Sequence, residues 1–393
     1  MPRHRRLESS QLRSDHLATR AGGDNCSCNE RPSANPNGPP LLQFSPARSS
    51  ILIPSEPRAD ENSRPALPWL VAVCAGLSGC TSPQSALDPA GVEAQSVATL
   101  FWVMLVGAVL IWVAVIGLSV FATKIRPGAY GEKAGLRLII WGGCVFPVVV
   151  LTALLVWGLQ MMPVLRAEAN GPTIAVSAER FWWRVAYDVE GESGVARSLP
   201  EGGVPSANEI WLPVGQRSEF LIGSPDVIHS LWIPSIAGKM DAIPGRVNRL
   251  VVEPTKPGVY NGVCAEFCGD AHAQMALRVV VVSPEEYDAY VARQSEPASV
   301  GAEDEGFRRF MENGCDACHT VRGTAANGRV GPDLTHLASR RTIAAGTLPM
   351  SPENLATFVG FTHRVKPGVQ MPGYGMLAED EIAAIAGWLE TLQ

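Results

Sequence analysis

The stretch CAEFCGDAHAQM at residues 264–275 places two thiols, an imidazole and a thioether in one short segment, as Cys264, Cys268, His272 and Met275. Thiolate, imidazole and thioether are soft ligands and together favour copper over magnesium, calcium or manganese. A mononuclear blue-copper site takes one Cys, two His and a weak Met, so the second thiol is surplus to a single ion, whereas two thiolates can bridge two coppers. His272 and Met275 follow Cys268 by four and seven residues, so one tight loop supplies most of a site, and His229 in DVIHSLW would arrive from a neighbouring strand. Zinc is disfavoured by the thioether, and a disulfide is the other alternative in an oxidising compartment. From Thr173 the chain on either side of this loop reads as short β-rich runs: TIAVSA, WWRVAY, EIWLPV, SEFLIGS, HSLWIP, NRLVVEP, GVYNGV and ALRVVVV. Gly, Pro, Asn and Asp separate them, a pattern that predicts a sandwich or Greek-key barrel.

Downstream the texture changes again. Residues 292–304 are mostly polar, contain Pro297 and Gly301, and read as a linker into a further domain at residues 305–393. That domain opens with GFRRFMENG, where Phe307, Phe310 and Met311 share a helical face. CDACH follows, with Cys315, Cys318 and His319. Two thiols three residues apart can reach two vinyl groups on one porphyrin edge, and the adjacent His then falls beneath the iron, which predicts covalent haem c. A redox dithiol or half of a zinc site is the other reading, but no second pair of ligands follows. The iron's second face needs a ligand, and Met371, Met350, Met376, His336 and His363 are the candidates; a thioether raises the haem potential, whereas a second His lowers it. In the last helix, EDEIAAIAGWLETL, the residues Ile382, Ile385, Trp388 and Leu389 form an apolar stripe expected to pack on the first helix.

Upstream lie two uncharged runs, at residues 97–122 and 138–165. At 1.5 Å per residue the first reaches about 39 Å, enough to cross a bilayer. Pro147 should kink the second rather than abolish it. The loop between them carries Lys124, Arg126, Lys133 and Arg137 against Glu132 alone, so the positive-inside rule places it in the cytoplasm and both chain ends outside. Residues 65–80 contain ALPWLVAVCAGLSGC, which resembles a bacterial lipoprotein signal with Cys80 as the lipidated new terminus. Residues 1–64 are rich in Arg, Pro, Ser and Asn without hydrophobic periodicity; they read as an unstructured or wrongly assigned extension, and Cys26 and Cys28 within it have no further ligands nearby. The chain's 393 residues predict two or three domains, and a net charge of −6 excludes the basic field that nucleic-acid binding requires.

Residues 97–291 resemble the CuA domain of cytochrome c oxidase subunit II, a cupredoxin on a two-helix anchor. The resemblance implies dinuclear copper held by His229, Cys264, the Glu266 carbonyl, Cys268, His272 and Met275, with the Glu266 carboxylate facing a magnesium ion shared with subunit I. DVIHSLWIPSIAGKMDAIPGRVNRL is similar to the family's stretch that packs on subunit I. In two places the chain departs from the family. The usual Trp-aromatic-Trp cluster for electron uptake reads Phe181, Trp182, Trp183, and the Glu that opens a proton path three residues before Trp141 is Leu138. At the C-terminus, KPGxxMP and the 52-residue spacing from His319 resemble small cytochromes c and select Met371, while GPDL supplies Pro332, whose carbonyl orients the His319 ring.

The order of segments resembles bacterial oxidase subunits II with a fused cytochrome c. The implied fold is a two-helix transmembrane hairpin, an all-β cupredoxin at residues 171–291 and an all-α class I cytochrome c domain, anchored in the bacterial plasma membrane with both soluble domains on the outer side. The implied function is electron transfer from a cytochrome c or other external donor, through haem c and CuA, to the oxygen-reducing haem-copper centre of subunit I in a proton-translocating complex that also holds subunit III. The linker would keep the haem domain at high local concentration near the copper. The other readings are a free-standing membrane carrier, a nitrous oxide reductase relative, which would need a catalytic propeller of several hundred more residues, and a quinol-oxidase analogue, which would lack the copper ligands.

Overall fold

The computed structural model describes residues 82–125, 131–165, 168–190, 198–299 and 304–393. The signal-like segment, Cys80, Arg126 and the first 64 residues lie outside these.

Helix α1 (Val92–Ile125) and helix α2, formed by Glu132–Leu138, Ile139–Val145 and Phe146–Leu165, are each long and apolar enough to cross a membrane. Their large apolar side chains, Trp112 and Trp141 among them, are exposed, as lipid-facing residues must be and water-facing ones rarely are. Around Pro147 the backbone answers the missing N–H by winding Ile139–Val145 as a π-helix, which widens the turn that the proline ring would otherwise crowd. At its N-terminal end α1 is tied to the β-domain: Ala90 N–H donates to the Ser235 carbonyl (2.6 Å) and Val92 N–H to that of Glu253 (3.0 Å). Gly91 forms a bridge to Pro254 and approaches so near that a Cβ there would collide with the Ile236 carbonyl.

The β-domain is a sandwich of two five-stranded sheets. The first runs β3 (Val204–Ala207), β2 (Trp182–Tyr187), β1 (Thr173–Glu179), β5 (Ser218–Gly223) and β8 (Asn248–Val252). The second runs β4 (Glu209–Pro213), β10 (Ala276–Val282), β9 (Gly258–Cys264), β6 (His229–Trp232) and β7 (Met240–Ala242). Alternation decides which side chains meet between the sheets. Ile174, Val176 and Ala178 of β1, Trp183, Val185 and Tyr187 of β2, Phe220 and Ile222 of β5, and Leu277, Val279 and Val281 of β10 all enter one buried core. The parallel pairs β1–β5 and β4–β10 require connections that cross between the sheets, as a Greek-key arrangement has.

Helix α3 (Pro284–Ser295) closes this domain, with a capping box between Ser283 and Glu286 and Pro284 at its first turn. It carries the chain through residues 292–295, so ordered helix continues past the point where the polar composition suggests a linker; a good cap and buried Tyr287, Tyr290 and Val291 outweigh the polar surface positions. The C-terminal domain is helical, with α4 (Glu305–Glu312), α5 (Pro352–Gly360) and α6 (Glu379–Glu390). Ile382, Ile385, Trp388 and Leu389 are buried with Phe310, and the Trp388 ring meets the rings of Phe310 and Phe307 at 5.0 and 5.3 Å, so the stripe packs on the first helix as the periodicity implies.

Candidate metal centre and haem pocket

Strand pairing assembles the metal centre. Cys264 ends β9 and His229 begins β6, its neighbour, while residues 265–275 turn back to put Met275 immediately before β10. Gly269 occupies φ +130° in this turn, a backbone region that excludes most L-residues. The two thiols come within 3.9 Å, too far for a disulfide and close enough for shared ligation. Each has an imidazole beside it: His229 Nδ1 lies 3.8 Å from Cys264 Sγ and His272 Nδ1 3.7 Å from Cys268 Sγ. Met275 Sδ stands 4.0 Å from Cys268 Sγ, and the Glu266 carbonyl 3.2 Å from Cys264 Sγ. The donor atoms of His229, Cys264 and Cys268 are mutually within 4.8 Å and buried. Asp226, which sequence reasoning passed over, holds His229 Nε2 at 2.9 Å and leaves Nδ1 facing the thiols. Its signal was local, an acid three residues before the His.

Burial opposes ionisation of both thiols. At Cys264 hydrogen bonding with His229 and the backbone outweighs it and draws the pKa down to about 7. Cys268, buried and next to that charge, is pushed up to about 12. Two adjacent thiolates therefore need cationic charge between them, and a soft set of two sulfurs, two imidazoles, a thioether and a carbonyl fits copper.

The second site is a cavity of about 430 Å³ in the helical domain, lined by Cys315, Cys318, His319 and Met371 among others. Gly314 in the left-handed region (φ +72°) turns α4 into the short Cys315–Ala317 helix that presents both thiols. The His319 Nδ1–H donates to the Pro332 carbonyl at 2.8 Å, and burial lowers the ring's pKa, so a neutral imidazole keeps Nε2 available for iron. Met371 lines the same cavity; Met350, Met376, His336 and His363 do not. His336 is turned away, with Nε2 3.0 Å from the Glu296 carbonyl. Two free thiols, an oriented His and a Met around one apolar cavity fit a covalent haem.

The two sites adjoin. Phe181, Trp182, Arg180 and Asn208 of the β-domain line the haem cavity. Gln274 Nε2–H donates to the Val365 carbonyl (2.7 Å), Ala276 N–H to that of Ala345 (3.0 Å), and Arg341 N–H to Glu209 Oε2 (3.0 Å). The aromatic cluster is divided by the pleat: Trp183 is buried with Nε1 3.4 Å from the Met275 carbonyl, and Trp182 points outward under the Arg184 guanidinium at 4.6 Å. Phe181 is only 3% exposed. It stands between Gly269 of the metal loop and Gly368 of the haem domain, so close that a Cβ on either would lie 3.0 or 3.4 Å from its ring.

These features define a redox protein in which two membrane-length helices, a cupredoxin-type sandwich and a c-type cytochrome domain share one chain. Comparison with known proteins agrees. Residues 198–282 match the family described as cytochrome c oxidase subunit II, periplasmic domain, and residues 303–393 match cytochrome c. Cytochrome c oxidase subunit 2 of Alkalihalophilus pseudofirmus is 31% identical over 340 residues, covering 81% of this chain and 94% of that one. The subunit of the same name from Bacillus sp. strain PS3 is 30% identical over 258 residues, 62% of this chain and 68% of that one. The crystal structure of the periplasmic domain of subunit II of cytochrome oxidase from Bradyrhizobium japonicum is 31% identical over 33% of this chain and 95% of that one, with a TM-score of 0.27. The chain belongs to the cytochrome c oxidase subunit 2 family, in a form that also carries a cytochrome c domain. The two domains imply CuA copper and haem c respectively.

Proposed function

We propose that this chain brings electrons into a haem-copper oxidase, from an external donor such as a cytochrome c to its own haem domain, across the seam to the metal loop, and onward to subunit I, where oxygen is reduced. Bound haem c and two coppers held as CuA would supply the one-electron carriers. The observation that carries this reading is the position of Phe181, which lines the haem cavity and touches the metal loop at Gly269. His229, Cys264, the Glu266 carbonyl, Cys268, His272 and Met275 hold the copper; Cys315 and Cys318 attach the haem, and His319 and Met371 ligate its iron. Phe181, Trp182 and Trp183 form the uptake side of the copper domain, served by the attached haem rather than by a diffusing protein.

The outer face of the metal loop supports docking on subunit I: Phe267 is 77% exposed, with Ile228 and Trp232 also exposed nearby in sequence to the ligand His229. Glu266 is exposed beside Phe267, as a carboxylate shared with a partner's magnesium must be. With Lys124, Lys133 and Arg137 at the inner helix ends, the hairpin crosses the bacterial plasma membrane twice and leaves both soluble domains outside. Cys80 is the proposed lipid attachment point, and subunit III a further partner. Leu138, exposed on α2, carries no proton, so proton uptake in the translocating complex uses another group.

Metal and haem analysis of the membrane-extracted chain tests this: two coppers and one covalent haem are expected, together with a large polytopic haem subunit in the same preparation. Cys268→Ser should abolish the paired-copper resonance in electron paramagnetic spectra and leave the haem spectrum intact. A wild-type chain that carries a single copper, or purifies with haem but no polytopic partner, would overturn the assignment in favour of a simple carrier.

A further inference from the structure

The second sheet leaves a ladder position open beside the metal loop. β4 pairs with β10 only from Arg278, opposite Glu209, onward. Asn208, in the left-handed region at φ +60°, marks where the preceding chain leaves for the first sheet as β3, so no strand of the β-domain reaches Ala276 on that side. The Ala276 N–H, one residue after Met275, therefore needs a partner from elsewhere. The haem domain supplies it. Two short strands, β11 (Thr342–Ile343) and β12 (Leu348–Pro349), pair antiparallel, and the tip between them, residues 344–347, lies against the metal loop. The Ala345 carbonyl accepts from Ala276 N–H at 3.0 Å. The Thr347 hydroxyl is shared between the Gln274 carbonyl (3.4 Å) and the Ala344 carbonyl (2.8 Å). Beyond the tip, the Val365 carbonyl accepts from Gln274 Nε2–H at 2.7 Å. To make these contacts the tip holds Ala344 and Ala345 at φ +52° and +55°, a region alanine enters at a cost, and Gly346 at φ +80°. Gly346 comes so near that a Cβ on it would lie 3.0 Å from Ala276 Cβ.

Gln274 and Ala276 bracket Met275, which is 1% exposed. The β-domain holds Met275 through its own carbonyl, which accepts from Cys264 N–H (3.0 Å) and Trp183 Nε1–H (3.4 Å). The haem domain holds it through both neighbours. A thioether is the weak donor of a soft copper set and sits on a flexible, unbranched side chain, so its distance from the metal depends on where the backbone is fixed. Resting on the copper reading above, we propose that the hairpin tip of the haem domain is a positioning element for the copper site, which fixes Met275 and so sets the copper reduction potential through the docked seam. A thioether donates electron density to the oxidised metal; a held Met275 lowers the potential, and a released one raises it. The link is reciprocal, because ligation by Met275 stabilises the backbone arrangement to which the tip binds.

The test uses the full chain with haem attached. Gly346→Val forces the tip away from Ala276, and Gln274→Leu removes the bond to Val365 from the copper side. Ala345→Gly suits the left-handed backbone and keeps the carbonyl. Three quantities are read: the copper reduction potential by spectroelectrochemical titration, the copper hyperfine pattern in electron paramagnetic spectra, and hydrogen exchange over residues 272–278 in the copper-free chain. Covalent haem content and the haem spectrum show alongside that the haem domain is folded. Gly346→Val and Gln274→Leu should both raise the potential and alter the hyperfine pattern, with faster exchange in the released segment, while Ala345→Gly should match wild type in all three. A wild-type potential and hyperfine pattern in both altered variants would overturn the inference, and so would unchanged exchange, because the tip would then protect nothing. Should Gly346→Val fail to take up haem, Gln274→Leu, which leaves the haem domain untouched, decides alone. A wild-type chain without paired copper would overturn the copper reading and this inference with it, and the exchange measurement on the copper-free chain separates that outcome from a failure of the contact itself.

Discussion

Phe181 can be tested by restoring the family's tryptophan. In this chain the ring lies between two glycines from different domains, with 3.0 Å from its Cζ to the position a Cβ would take on Gly269 and 3.4 Å from its Cε2 to the equivalent point on Gly368. Even a methyl group on either loop would crowd the phenyl ring, so the larger indole meets both loops at close range and must move one of them. Overpacking of this kind costs about 1–3 kcal/mol. If the strain is relieved by separating the domains, the docked-to-undocked ratio falls roughly 5- to 140-fold, at tenfold per 1.4 kcal/mol. The expected result for Phe181→Trp is a lower unfolding midpoint and a slower first-order transfer from haem to copper after the haem is flash-reduced. Phe181→Leu, smaller but still apolar, should lose stability without forcing the loops apart and retain more of the transfer rate. A Phe181→Trp protein with wild-type stability and wild-type or faster transfer would refute the argument that this ring fills the seam.

Three further outcomes follow from the geometry. Asp226→Asn removes the carboxylate that orients His229, and copper affinity measured by competition with a chelator should fall about 10- to 100-fold while haem content stays constant. Gly331→Ala would set a Cβ 2.5 Å from His319 Cε1, displacing the ring from the Pro332 carbonyl; covalent haem should still form at Cys315 and Cys318, but the low-spin His–Met spectrum should be weakened or lost. Lengthening the linker by Gly-Ser repeats at residues 300–303 should leave the haem-to-copper rate nearly unchanged, because seam contacts hold the domains; a free tether would instead show a rate falling roughly as the −3/2 power of length.

Much of the architecture was legible because it depends on side-chain type and period. All eight quoted β-rich runs became strands, since alternating Val, Ile, Phe and Trp can be buried only by pairing two sheets. β3 and β7 were not legible. They have four and three residues and lie at sheet edges, where Pro205 is tolerated and neighbouring strands rather than composition define them. The ligand loop and CDACH could be read because their chemistry is carried by rare residue types at short spacing. The seam could not: Ala276 to Ala345 and Gln274 to Val365 end on backbone carbonyls, which leave no mark on sequence. Lys366 shows the same limit from the other side, since a lysine in sequence signals surface, and only the fold reveals one that is fully enclosed.

The departure at residue 181 and the fused domain then have one physical explanation. Under the proposed function, a residue receiving electrons from a diffusing protein would have to present an exposed ring, whereas Phe181 is buried against the haem domain. The described part of the linker is itself held: Arg322 donates to the carbonyls of Ser295 (2.9 Å) and Gln294 (2.5 Å), and Ala298 N–H to that of Arg322 (2.9 Å). A flexible leash raising local concentration is therefore less than the fold provides, because contacts across the seam fix orientation as well as proximity. On the proposed electron route, an external donor would meet the haem domain on a side away from this seam, and the phenyl ring of Phe181 fits between the two loops where they close on each other.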